Sequence, residues 1–232
     1  PSGECGGRMT WEAVVDIAAR LTDPGRGVWG FQFENSARPY QLLPVPQSWG
    51  AEVIGPDGLT AAGFVDSPAM IEALTWYQSL YQTRRVAPPG VFDNGVVQEM
   101  FGTGRIAMML GGTWNLDGMR RFPDLDLAVA PHPHFAGRRV VTPTGSWHIG
   151  INPRTRFPEQ SQAFVRFLMT TPAMELWFRL RQNPPVLTEV WERLAASDFS
   201  HPMWTIVRHE LANTAVPRPS TPGFREYEDL LR

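Results

Sequence analysis

The side chains best suited to chemistry are few in this chain, and they are poorly grouped. His132-Pro133-His134 sets two imidazoles two residues apart, a spacing that can place both on one face of a strand. The intervening proline and the lack of a clear third ligand favour a solvated loop over a metal centre. Asp124 and Asp126 have the chemistry of an acid–base pair, but Phe122-Pro123-Asp124-Leu125-Asp126 reads as a turn between helix and strand. Cys5 is the single cysteine, so it has no internal disulfide partner and forms no thiolate cluster. Gly102-Thr103-Gly104 lacks the third glycine of a dinucleotide loop and precedes a strand where that loop needs a helix. Thr144-Gly145-Ser146-Trp147 is not a nucleophile elbow. No catalytic residue, metal ligand or cofactor is expected from this inventory.

The bulk composition narrows the classes further. With 232 residues, 43% hydrophobic and 19% charged, the chain can fill a large core and is not a disordered tract. A net charge of −2 supplies no attraction to nucleic acid, and Arg84-Arg85, Arg120-Arg121 and Arg138-Arg139 are isolated doublets that read as solvated. All 21 basic residues are Arg. Nine Trp residues are many for this length; indole serves cores and interfaces equally well, and most are read as core. No apolar run approaches membrane-spanning length, and no signal peptide is present in the sequence read.

The elements that must position these side chains alternate between strand and helix, which indicates an α/β protein. The pattern predicts a first helix over Thr10–Leu21, with Trp11, Val14, Val15, Ala18 and Leu21 on one face, stopped by Asp23-Pro24-Gly25. A strand should follow at Val28–Phe33; Pro39–Pro46 is too rich in proline for a regular helix. Pro68–Gln82 reads as an amphipathic helix with Ile71, Leu74, Tyr77, Gln78 and Tyr81 at helical spacing, and Asn94–Phe101 as another. Strands are expected at Arg105–Leu110, Leu125–Ala130 and Trp147–Ile151, and helices from Pro158 onward, interrupted at Asn183-Pro184-Pro185 and over Ala215–Pro222. Ser67-Pro68, Thr171-Pro172 and Thr221-Pro222 are capping residues followed by proline at the first helical position. Trp76 and Trp177 fall inside helices and are read as core.

One ordered series of motifs is more specific. It runs Thr10-Trp11-Glu12, Ser48-Trp49-Gly50, Pro56-Asp57-Gly58, Val65-Asp66-Ser67-Pro68 and Leu74-Thr75-Trp76-Tyr77. Phe101-x-x-Gly104-x-x-Ala107-Met108 and Gly111-Gly112-Thr113-Trp114 come next, then Gly145-Ser146-Trp147 and Ile149-Gly150-Ile151-Asn152. A helix from Gln162 to Met169 and Val216-Pro217-Arg218-Pro219 close it. In order and spacing the series resembles family 1 of the extracellular solute-binding proteins, the group that includes maltose-binding protein.

The resemblance implies an α/β fold of the periplasmic binding protein type II class, mainly its second lobe with a partial return segment of the first. Residues 1–150 would form the second lobe, and 151–232 a helical segment shared between it and the partial first lobe. Relatives begin with a βαβ lobe ahead of the segment resembling Thr10-Trp11-Glu12, and here nine residues precede it, so truncation is expected at the N-terminus and, from Tyr227–Arg232, at the C-terminus. The implied role is the substrate-binding component of an ABC importer, closing two lobes over a mono- or oligosaccharide without chemistry. A polyol or glycerol phosphodiester on the same fold, a carbohydrate-active enzyme and an interaction module are the alternatives. Implied partners are a carbohydrate and the transporter's permease subunits, with no nucleic acid, and the fragment is expected to self-associate. The implied location is extracellular or periplasmic, with lipid anchoring through a preceding segment.

The resemblance also assigns candidate ligand residues. Trp114 matches the family's sugar-stacking tryptophan and Tyr40 an aromatic presented after the second strand. Asp93 and Asn94 precede a helix where the family supplies a hydroxyl-binding side chain, with helix capping as the alternative. Gly145, Ser146 and Trp147 match a cleft-lining turn, and Trp49 has an open role. With no Arg beside Trp114 or Trp147 in the sequence, the expected ligand is neutral.

Overall fold

A computed structural model of the chain describes residues 7–35, 39–194 and 202–230. Cys5 lies outside the described residues.

Helix α1 (Trp11–Leu21) begins where the Thr10 side chain accepts a hydrogen bond from the Ala13 amide at 3.2 Å. Its Trp11, Val14, Val15 and Ala18 are buried at i, i+3, i+4 and i+7, as the spacing predicts, whereas Leu21 is exposed. Strand β1 (Trp29–Gln32) lies directly against it. A Cβ on Gly30 would stand 2.1 Å from the Ala18 carbonyl oxygen, so only glycine lets strand and helix approach this closely.

The proline-rich stretch departs from expectation. A 3₁₀ turn at Pro39–Gln41 is followed by a true helix, α2 (Pro44–Trp49). Its prolines occupy the first and third helical positions, where backbone N–H groups have no intrahelical acceptor, so they cost the helix nothing. Gly50, at φ 105°, ends it.

Helix α3 (Pro68–Gln82) starts where expected, with the Ser67 hydroxyl accepting from the Met70 amide at 3.3 Å. Its buried face is Met70, Ala73 and Leu80; Ile71 and Gln78 of the expected stripe are exposed. Helix α4 (Asn94–Gly102) leads into strand β2 (Ile106–Met109), which pairs in parallel with β1 in the register Trp29↔Ile106 and Phe31↔Met108. The core of this region is aromatic. Trp11 lies 5.8 Å from Phe31 edge-on and 5.4 Å from Trp76, which was expected in the core and packs against it half-buried.

Beyond a short helix α5 (Asn115–Met119), two expected strands are absent. Residues 125–130 and 147–151 form neither helix nor strand, and neither pairs with a strand among the described residues. Apolar composition alone does not make a strand without a partner ladder. The His132–His134 loop, expected in solvent, is instead packed inside: Pro131, His132 and Pro133 are buried and the His132 ring meets Trp11 edge-on at 5.9 Å.

Strand β3 (Thr142–Thr144) was not visible in the sequence, because Pro143 sits at its centre. Helices α6 (Pro158–Leu168), α7 (Thr171–Arg181), α8 (Thr188–Leu194) and α9 (Pro202–Asn213) follow. Strand β4 (Ala215–Pro217) pairs in parallel with β3, and α10 (Phe224–Leu230) begins two residues after Pro222 rather than at it. Phe178, Val190, Leu194, Met203 and Trp204 form a second core between α7, α8 and α9. Trp177, expected in a core, is 54% exposed because α7 turns Phe178 inward in its place. Among the described residues no helix is long and apolar enough to cross a membrane.

Candidate functional site

Strand β2 delivers the chain into the Leu110–Trp114 turn. The Leu110 amide donates to the Gln32 carbonyl at 3.1 Å, carrying the sheet pairing one residue past the strand end. Asn115 then locks the turn: its Oδ1 accepts from the Gly112 amide at 2.8 Å and its Nδ2 donates to Asn94 Oδ1 at 2.7 Å. A Cβ on Gly112 would fall 2.0 Å from the Trp114 ring. The indole is therefore folded back over its own turn, and glycine is what makes room for it. Trp114 remains 40% exposed.

Tyr40, in the 3₁₀ turn, meets this indole with ring centroids 6.1 Å apart and planes tilted by 47°. Its hydroxyl donates to the Pro143 carbonyl at 3.2 Å, which ties the ring to β3. On the Tyr40 ring lies Arg218, its guanidinium carbon 4.7 Å from the centroid. Burial raises the Tyr40 phenol above its ordinary value and the Arg218 charge opposes that rise, so the ring stays neutral across the physiological range. Strand pairing explains the arginine's presence. The register Thr144↔Pro217 sets Arg218 opposite Gly145, where an added Cβ would be 2.8 Å from a guanidinium nitrogen.

Two of the sequence-predicted residues, Trp114 and Tyr40, thus form one cluster, and Gly145 borders it through Arg218. Asn94 is joined to the Trp114 turn through Asn115. Asp93 caps α4, its Oδ1 accepting from the Val96 amide at 2.9 Å. Ser146 donates to the Trp147 carbonyl at 3.3 Å, and Trp147 stands 87% exposed. Trp49 has other neighbours: its ring packs edge-on against Phe135 at 4.4 Å, lies under Arg138, and donates from Nε1 to Glu72 at 2.9 Å.

Sequence reasoning missed Arg218 and Asn115. The absence of an arginine next to Trp114 or Trp147 in sequence does not carry over to space, because β4 brings one to the aromatic pair. The Val216-Pro217-Arg218-Pro219 motif was the only signal for it. The chemistry assembled here is that of recognition: an apolar indole face, a neutral phenol and a guanidinium with exposed donors.

An α/β chain with short parallel strand pairs, whose turns gather aromatic rings and oriented polar groups, has the fold of part of a periplasmic binding protein type II. Residues 8–201 match the family described as bacterial extracellular solute-binding protein, and the chain belongs to that family. Among solved structures, it resembles an ABC transporter solute-binding protein of Thermotoga lettingae bound with alpha-D-tagatose. The TM-score is 0.82 at 22% identity, over 96% of this chain and 57% of that one. The maltose/maltodextrin-binding domain of Bdellovibrio bacteriovorus bound to maltotriose matches at TM-score 0.80 and 18% identity, over 97% of this chain and 60% of that one. A solute-binding protein of Agrobacterium radiobacter in complex with ribitol matches at 0.75 and 22%, over 97% and 58%. The chain spans 57–60% of the length of these structures, and at these identities the likeness shows the fold.

Proposed function

We propose that this chain is the ligand-holding part of a substrate-binding component of an ABC importer, which takes up a mono- or oligosaccharide. One observation carries the reading: an exposed indole face, Trp114, folded over a glycine turn and bordered by Tyr40 and Arg218. Sugars present apolar ring faces edged with hydroxyls, and this pairing of a flat ring with hydrogen-bond donors is complementary to them. The tagatose- and maltotriose-bound relatives support a sugar, and the ribitol-bound one keeps a polyol as the second reading. Asp93, Asn94, Gly145, Ser146, Trp147 and Trp49 complete the proposed ligand-contacting set.

In this reading residues 1–150 belong to the second lobe and 151–232 are shared with part of the first. The exposed apolar rows on α6 and α7 support a covering lobe there: Phe164 and Phe167 are 60% and 59% exposed, and Leu176, Trp177 and Leu180 lie open on α7. Lobe closure over the sugar is a population shift driven by tighter binding to the closed form. The permease subunits read that form, outside the cytoplasmic membrane, with a lipid anchor holding the protein near them. No chemical step on the sugar is part of this function.

Titration calorimetry of the protein as its gene encodes it, against a panel of mono- and oligosaccharides and polyols, tests the reading. Saturable binding is expected, with Trp114→Ala weakening it at least about tenfold. Incubation with labelled oligosaccharides should release no new reducing ends. Absence of saturable binding across the panel, or turnover of the oligosaccharides, would overturn the proposal.

A further inference from the structure

We infer that Arg218 makes the site selective for a sugar bearing a carboxylate, gripping that group while the sugar ring rests on Trp114. The inference rests on the sugar-binding reading above and adds the charge of the ligand. Tyr40 joins the two ends of the site, with its ring centroid 6.1 Å from that of Trp114 and 4.7 Å from the Arg218 guanidinium carbon. Because the guanidinium covers the phenol face, Trp114 is left as the stacking surface and Tyr40 acts as a spacer. The Tyr40 hydroxyl donates its proton to the Pro143 carbonyl, so the phenol is held in place and offers a ligand only an acceptor.

Arg218 itself is exposed and forms no salt bridge and no hydrogen bond among the described residues. Ion pairs seen among the described residues join other groups, among them Arg8 with Glu210, Arg120 and Arg181 with Asp117, and Arg193 with Glu175. A guanidinium stacked on an aromatic ring keeps its edge and its fork of N–H donors in the ring plane direction, open to a planar bidentate acceptor. Gly145 keeps that approach clear, since any side chain there would begin 2.8 Å from the nearer nitrogen. A neutral hydroxyl would use one or two of these donors and leave the charge uncompensated, whereas a carboxylate matches both the geometry and the single charge. A phosphate, carrying up to two charges, calls for a second cation or a helix N-terminus beside the first. Among the described residues Arg218 is the cation that stacks on Tyr40, and the other cation–ring contacts, Arg121 on Phe122 and Arg138 on Trp49, involve different rings.

The test is a glycan array carrying matched neutral, uronate-containing and phosphorylated mono- and oligosaccharides, probed with the wild-type protein and Arg218→Gln, with calorimetry on the hits. Uronate-containing glycans should dominate the hits, Arg218→Gln should weaken them by about tenfold or more, and Arg218→Lys should recover only part of the loss. Thermal unfolding of Arg218→Gln should stay close to wild type, because the exposed side chain gives up only its contact with the Tyr40 ring. If neutral glycans bind and Arg218→Gln binds them equally well, the carboxylate inference fails and the sugar-binding reading stands. Hits confined to phosphorylated glycans also overturn the inference. If nothing on the array binds, the sugar-binding reading falls and the inference falls with it.

Discussion

Glu210 is a carboxylate held in the interior by two distant partners, Arg8 and Thr142, and by Thr214 one turn further along its own segment. Arg8 donates to its Oε1 at 2.5 Å and to its Oε2 at 3.2 Å, Thr142 donates to Oε2, and Thr214 does so at 3.0 Å. The side chains of Arg8 and Glu210 are 3% and 8% exposed, so neither charge has water as an alternative. Burial pushes the Glu210 carboxyl up, but the Arg8 guanidinium and the two hydroxyls outweigh it and leave the group below its ordinary value. Glu210→Gln would strand the Arg8 charge in the interior and should cost about 3–5 kcal/mol, read from urea unfolding at pH 7. The pH dependence has a fixed sign. A carboxyl with a lowered folded-state value stabilises the fold above its unfolded value and loses that contribution as pH falls through the folded one. His132 acts in the same direction: burial holds its imidazole down to about 4 from an ordinary 6.5, so the unfolded chain takes up its proton first. Stability should therefore decline from about pH 6.5 towards pH 4 through His132, and further below through Glu210. A urea midpoint that is flat over pH 6.5–4 would contradict the His132 placement.

At the scale of elements, close approach is set by glycines more than by large side chains. The α1–β1 contact depends on Gly30, where the obstacle to any Cβ is the Ala18 backbone itself and not the tip of a movable side chain. Gly30→Ala should force α1 off the strand, disturbing the Trp11–Phe31 packing and lowering stability by about 1–3 kcal/mol or more. Chemical denaturation checks this, and a change of under about 0.5 kcal/mol would mean that the helix can retreat without loss. The same logic at Gly112 places Trp114: the turn is tight because the indole occupies the space of a side chain at 112. Element pairing also supplies Arg218, since the β3–β4 register is what brings residue 218 to residue 145. The site is thus a product of two parallel strand pairs, one feeding the Gly-Gly-Thr-Trp turn and the other the arginine.

At the scale of the molecule, α6 and α7 present apolar rows that nothing among the described residues covers. Phe157, Phe164, Phe167, Leu176, Trp177 and Leu180 are all more than half exposed. An apolar area of this kind drives association when it is left open to water. The 232-residue chain alone should self-associate in sedimentation equilibrium, and Phe164→Glu with Phe167→Glu should shift it towards monomer. A wild-type chain that sediments as a monomer at high micromolar concentration would rule this out.

How far the sequence reaches can be read from particular residues. Helices α1 and α3 were legible to within a residue, because the apolar repeat of α1 and the Ser67-Pro68 start of α3 are signals that act locally. The ordered motifs were enough to place the chain in its family, and the resemblance they carry singled out Trp114 and Tyr40. The strand at 142–144 was hidden by Pro143, and the strands expected at 125–130 and 147–151 were not formed, because a strand exists only through its neighbour and the neighbour is not written next to it. The arrangement of Tyr40, Trp114, Gly145 and Arg218 belongs wholly to the tertiary structure. Those residues come from four separate segments, and only long-range backbone pairing, which leaves no periodic trace along the chain, decides that a guanidinium and an indole flank the same phenol.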